Sequence, residues 1–217
     1  MKNSSKSMPA KSSAKTPTVT PAKARGRPRT LQRDHVINVA MESYWVSGPS
    51  NVSVNDICKR ANVSKPGLYR EFGNEDGLQK EVLDTYCDTW LSALFDVLRI
   101  EQPFSASLQD VIALFLKGRG MFTQPRGCLL REMAMSQDQL GDLTREAITA
   151  RQHEALDHYA AWIDNAIKRG DITTQIPLDI AASYVDLQFG NAMTLIKREE
   201  PDEKVEGIML LAFSVFE

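Results

Sequence analysis

Residues 53–72 limit what this chain can fold into more than any other stretch. Ser53 followed three positions later by Asp56 has the form of a capping box, and Val54, Ile57 and Ala61 give the short helix it opens one buried face. Asn62-Val63-Ser64 predicts a tight turn, because Asn accepts the left-handed conformation that stops a helix sharply and Ser64 suits the next N-cap. Pro66 then falls in a first helical turn, where its missing N–H costs little, and Leu68 and Phe72 face inward. Two short helices joined by about three residues make a helix-turn-helix.

The flanking chain is helical by the same criteria. Val36, Ile37, Ala40, Met41, Tyr44 and Trp45 recur at helical spacing until Gly48-Pro49 stops them. After Gly73, Asn74 suits the cap of a long helix of about 25 residues running through Leu98. Amphipathic segments follow at 106–122, at 128–137 and at 142–169, the last stopped by Lys168-Arg169-Gly170. Pro177 opens a further helix to Lys197, and 202–216 is a final apolar one. No alternating run predicts a strand. The expected fold class is all-α: a basic arm over residues 1–29, a three-helix helix-turn-helix domain over 30–75 and a C-terminal helical bundle over 76–217.

Charge is unevenly distributed. Residues 1–33 hold nine Lys and Arg and no acid, so the net −2 divides into +9 for this arm and −11 for residues 34–217. Residues 1–24 offer almost nothing to bury and predict disorder. A basic arm on an acidic body points either to a polyanion partner for the arm or to a solubilising tail. No apolar run approaches the roughly 18 residues of a membrane span, and the N-terminus lacks the apolar region of a secretory signal. Cys58, Cys87 and Cys128 have no paired spacing, which predicts neither disulfides nor zinc and places the protein in a reducing, cytoplasmic compartment.

The stretch from Val52 to Phe72, with its Ala61-x-Val63-Ser64 turn, its Leu68-Tyr69 pair and Phe72 followed by Leu78, closely resembles the DNA-binding signature of the TetR/AcrR family of transcriptional regulators. The strong match covers residues 31–80; beyond it the likeness is in helix number, length and order. In such a module the helix starting at Ser64 presents Ser64, Lys65 and Tyr69 to a major groove, with Gly67 letting the backbone come close. Lys65 can donate to a guanine edge or a phosphate, and Tyr69 and Ser53 resemble the family's phosphate-contacting positions. Pro66 and Arg70 complete the expected DNA-facing set. The alternative for Tyr69 is simple packing in a small helical core. Two positions depart from the family pattern: Glu75 stands where lysine is usual, and Gly67 where Thr or Ser is common. Residues 34–80 carry a net −1, so the arm is expected to supply attraction for DNA. Arg25-Gly26-Arg27-Pro28-Arg29 resembles an AT-hook, a narrow strand whose Arg25, Arg27 and Arg29 suit an A·T-rich minor groove.

The resemblance implies a homodimeric repressor on pseudo-palindromic double-stranded DNA, released by a small hydrophobic effector in the C-terminal bundle. It implies a dimer interface from the last two long helices, and the segment around Ala181, Ala182, Ser183, Gly190 and Ala192 suits that role, although a buried crossing within one chain explains Gly190 equally well. Candidate pocket residues are Trp90, Phe95, Phe115, Met121, Phe122, Met133, Trp162, Phe189 and Met193, residue types that on amphipathic helices also build plain core. Gly127-Cys128-Leu129 looks like a segment of one group of these regulators; a helix-start cysteine beside Arg126 can have a lowered pKa, which makes Cys128 a redox or electrophile-sensing candidate, its alternative being an inert packed thiol. A weakly specific architectural DNA binder is the other alternative function. His153, Asp157 and His158 do not share a helix face, no metal or cofactor is expected, and no phosphate loop, nucleophile elbow or zinc-protease motif marks an enzyme.

Overall fold

The computed structural model describes residues 1, 32–117 and 127–216. Arg25, Arg27, Arg29, Met121 and Phe122 lie outside the described residues.

Helix α1 (Arg33–Ser47) buries Val36, Ile37, Ala40, Tyr44 and Trp45 and ends where Gly48, at φ 80°, returns its N–H to the Tyr44 carbonyl. Helix α2 (Val54–Ala61) starts at Ser53, whose Oγ accepts from the Asp56 N–H at 3.2 Å. It stops at Asn62 in the left-handed region (φ 54°, ψ 46°), with the Val63 N–H donating back to the Cys58 carbonyl at 3.0 Å. Helix α3 (Lys65–Phe72) is capped by Ser64, which accepts from the Gly67 N–H at 3.2 Å. Asn74 caps α4 (Glu75–Tyr86) by accepting from Gly77 at 2.8 Å.

The predicted helix of about 25 residues is present over residues 75–99, with a π-turn inside it. After Tyr86 the chain widens into a π-helical turn (Cys87–Leu91) before α5 (Ser92–Arg99). The Ser92 hydroxyl donates to the Asp88 carbonyl at 2.7 Å inside this turn. Amphipathic periodicity is blind to one inserted residue per turn, and such π-turns gather at functional sites. Helices α6 (Phe104–Lys117), α7 (Leu129–Met135), α8 (Asp142–Arg169), α9 (Leu178–Lys197) and α10 (Asp202–Phe213) complete the fold, with no strand among the described residues. None of these helices is long and apolar enough to cross a membrane.

Helix α8 packs along α4 and α9. Its far half and α9, α10 and α6 enclose an aromatic core: Phe104 lies 4.7 Å from Trp162, and Phe189 5.5 Å from Phe213, centroid to centroid. Trp162 Nε1 donates to Ser107 Oγ at 2.9 Å, which satisfies the one polar atom this ring brings inside. Two contacts bind α4 to α8. The Asp76 carboxylate accepts from the Leu143 and Thr144 N–H groups, each at 3.0 Å, and from Thr144 Oγ1 at 2.6 Å, so α4 supplies the N-cap that Gly141 lacks. An added Cβ at Gly141 would overlap that carboxylate. One turn and more along α8, Arg151 pairs with Asp84 at 3.1 Å and with Asp88 at 2.7 Å.

Of the small residues of α9 expected at an interface, Ser183 is exposed and the other four lie inside the subunit. Ala181, Ala182 and Ala192 are buried within the subunit, as is Gly190. What α9 exposes is Ile180 and Leu187, seven positions apart on one face, 56% and 54% exposed. Tyr184 Oη donates to the Ala212 carbonyl at 2.7 Å and holds α10 alongside, where Leu211 is 74% exposed.

Candidate nucleic-acid interface and effector cavity

The outer surface of α3 is set by which cations remain unneutralised. Arg33 is held by Glu71 and Glu81 and lies over the Phe72 ring. Arg60 donates to Ser43 Oγ at 2.7 Å and sits 3.9 Å from Glu42, and Lys59 is 3.8 Å from Asp56. Among the described residues neither Lys65 nor Arg70 has a carboxylate partner, and both are exposed. The positive charge of a module with net −1 is therefore concentrated on α3.

Ser64, Lys65, Pro66 and Arg70 are exposed at α3 and its cap, Gly67 is half-buried, and Lys65 Nζ lies 5.4 Å above the Tyr69 ring. Tyr69 is half-buried against the core, so it packs as well as faces outward. Ser53 is differently placed, one helix earlier. Its Oγ donates to Asp56 Oδ2 at 2.6 Å, and this hydrogen bond holds the exposed Asp56 carboxyl below its ordinary range. A phosphate approaching Ser53 would meet that anion.

Between the helix-turn-helix and the aromatic core lies a cavity of about 450 Å³. Of the residues expected to line one, Trp90, Phe115, Phe189 and Met193 do. Phe95, Met133 and Trp162 do not: all three are buried core, Phe95 with its ring 4.0 Å from that of His158. Sequence reasoning missed Trp45, Tyr86, Arg131, Asp186 and Gly190, which also border the cavity. Trp45 reads as core of the first helix; its ring stands edge-on to Tyr86 at 5.1 Å and its Nε1 donates to the Gly127 carbonyl at 2.6 Å. The π-turn supplies Thr89, Trp90 and Leu91 to the wall.

Cys128 borders the same space, and Tyr86 Oη donates to its Sγ at 3.5 Å. The lowered pKa expected of it is not found: burial pushes the Cys128 thiol up, outweighing the Tyr86 hydroxyl and Arg131. Cys58 and Cys87 are buried, and burial pushes the Cys87 thiol up to about 12. His153 is exposed, while His158 stacks on Phe95 and lies 3.2 Å from Arg99. Among the described residues no group of His, Cys, Asp and Glu could hold a metal ion.

The geometry defines an all-helical protein in which a helix-turn-helix is joined to a cavity-bearing bundle. Residues 36–82 match the family model of bacterial regulatory proteins, tetR family. Over that segment the chain is similar to this family. It is 31% identical to the transcriptional repressor ComR of Escherichia coli K12 over 109 residues, 50% of this chain and 52% of ComR, so the match spans about half the length of that relative. Regulatory protein TetR from Rhodobacter sphaeroides shares the fold at a TM-score of 0.75 and 22% identity, over 86% of this chain and 100% of that one. The TetR-family regulator CifR, a cysteine double mutant solved with 26-base-pair operator DNA, matches at a TM-score of 0.70 and 22% identity, over 88% and 100%.

Proposed function

We propose that this protein is a cytoplasmic, homodimeric repressor that binds pseudo-palindromic double-stranded DNA through α3 and leaves it when a small molecule fills the cavity. Residues 30–75 would read the DNA, and residues 76–217 would bind effector and partner subunit. Trp45 carries this reading: it belongs to α1, against which the helix-turn-helix packs, and it is also a wall of the cavity. An occupant that displaces Trp45 or the π-turn acts directly on the helices that hold α3. Because α4 is tied to α8 through Asp76 and Arg151, a shift of the bundle also turns the recognition module. Two α3 helices fit successive major grooves only at one spacing, about one helical turn. By linkage, operator DNA weakens effector binding by the factor by which effector weakens operator binding.

Lys65 and Arg70 support DNA contact from α3, and the exposed Ile180, Leu187 and Leu211 support a self-complementary interface from α9 and α10. ComR is a transcriptional repressor and CifR was solved on operator DNA; the same activity is proposed here. Selection of bound sequences from random duplex DNA tests it. An enriched pseudo-palindrome is expected; binding without enrichment would instead make the protein an architectural binder.

Two further results are expected with the selected operator. Tyr69→Phe removes a hydroxyl and leaves the packed ring, so affinity should fall by about threefold to tenfold with an unchanged melting temperature. Equal affinity would remove the hydroxyl from the interface. Deleting residues 1–29 removes five lysines and Arg25, Arg27 and Arg29, of which the three arginines are the expected phosphate and groove contacts. The slope of log K against log salt should become shallower by about 2 to 3, near 0.9 per lost phosphate contact. Superimposable slopes for the two proteins would show that the arm does not touch DNA.

A further inference from the structure

One wall of the cavity is charged in a way that a purely apolar occupant leaves unexplained. Arg131 projects from α7 over α9, and its guanidinium occupies the place of a side chain at Gly190: an added Cβ there would overlap Arg131 Cζ, Nε and Nη2. Glycine within a helix costs about 1 kcal/mol relative to alanine. The close seat of Arg131 accounts for Gly190, which lies inside the subunit and not on the exposed face of α9.

The seat positions the guanidinium without saturating it. Its carboxylate neighbour, Asp186, is one turn before Gly190 on α9 and 3.7 Å away, beyond hydrogen-bond length. A guanidinium has five N–H donors in a planar fork that matches a carboxylate bidentately. Burial pushes the Asp186 carboxyl up, which weakens its claim as a permanent counter-ion. Lys117 borders the cavity as a second cation, with no carboxylate partner among the described residues. Two cations against one carboxylate leave the cavity lining with an excess positive charge. Most of the remaining lining is aromatic and aliphatic, with Trp90, Phe115 and Phe189 among it.

We propose that the effector is a small hydrophobic monocarboxylic acid, its carboxylate held in the fork of Arg131 and its body lying among Trp90, Phe115 and Phe189. This rests on the reading of the protein as an effector-controlled regulator and names the effector's chemical class. The acid displaces Asp186 as partner of Arg131 and so replaces an ion pair that joins α7 to α9.

Full-length protein titrated with benzoate, 2-naphthoate and octanoate, each beside its primary amide, tests the assignment by isothermal calorimetry. At least one acid should bind about 10- to 100-fold tighter than its amide, the range of a charge-assisted bidentate pair. Arg131→Met should bring that acid down to the affinity of its amide while leaving the amide unchanged. Asp186→Asn removes the competing carboxylate and should tighten the acid several-fold, a test that stands if Arg131→Met fails to fold. Amides that bind as tightly as their acids would overturn the carboxylate assignment and leave the cavity reading in place. No binding by any acid or amide would overturn both.

Discussion

Leu187→Glu is expected to convert the protein to monomers and abolish operator binding at concentrations where the native protein is saturated. Leu187 is 54% exposed on the same face of α9 as Ile180. In a two-fold interface each substitution occurs twice, and burying an unpaired carboxylate costs several kcal/mol. At about 2–3 kcal/mol for each, the dimer dissociation constant rises by roughly 1,000-fold or more. A single α3 then engages one half-site alone and loses the contacts of the second. Sedimentation velocity reports the oligomer and a gel-shift titration the DNA binding. Because the site is solvent-facing in the subunit, helical content should be unchanged, although melting becomes easier once dimerisation no longer supports the fold. A Leu187→Glu protein that remains dimeric would place the interface elsewhere.

Asp76→Ala should cost about 2–3 kcal/mol, because it takes three hydrogen bonds from the N-terminus of a long helix and leaves the Leu143 and Thr144 N–H groups without their cap. For a chain of this size that is a fall in melting temperature on the order of 5–10 °C. The functional consequence is separate from stability. Asp76 ties α8 to α4, which packs against α1 and α3, so the effector should release DNA less completely at saturation, with effector affinity in the absence of DNA little changed. Gly141→Ala pushes the Asp76 carboxylate out by overlap and should reproduce both effects. Combined, the two substitutions should cost little more than either alone, because they remove the same interaction. Full additivity would show that Asp76 and Gly141 act independently.

Much of the DNA-facing half was legible in the residues. Ser53, Ser64 and Asn74 cap the helices they precede, and Asn62 adopts the left-handed turn expected of it. The helix over 142–169 has the limits that its periodicity and Gly170 predict. Each of these signals involves residues within a few positions of one another, where side-chain and backbone chemistry decide the conformation. The cavity was legible only in part, since an aromatic at a helical apolar position is equally suited to core and to wall. Phe115 and Phe189 border open space whereas Phe95 and Trp162 are sealed, and nothing in their spacing separates the pairs.

Caps, breakers and 3.6-residue periodicity are local interactions, so the all-helical class, the helix-turn-helix and the concentration of basic residues before it follow from the order of the residues alone. That Asp76 caps α8, that Arg131 rests on Gly190 and that Trp45 borders the cavity came only with the packing of the helices. These contacts join segments far apart in the chain, so they arise from how helices cross, and a pattern read along one helix does not contain the position of its neighbour.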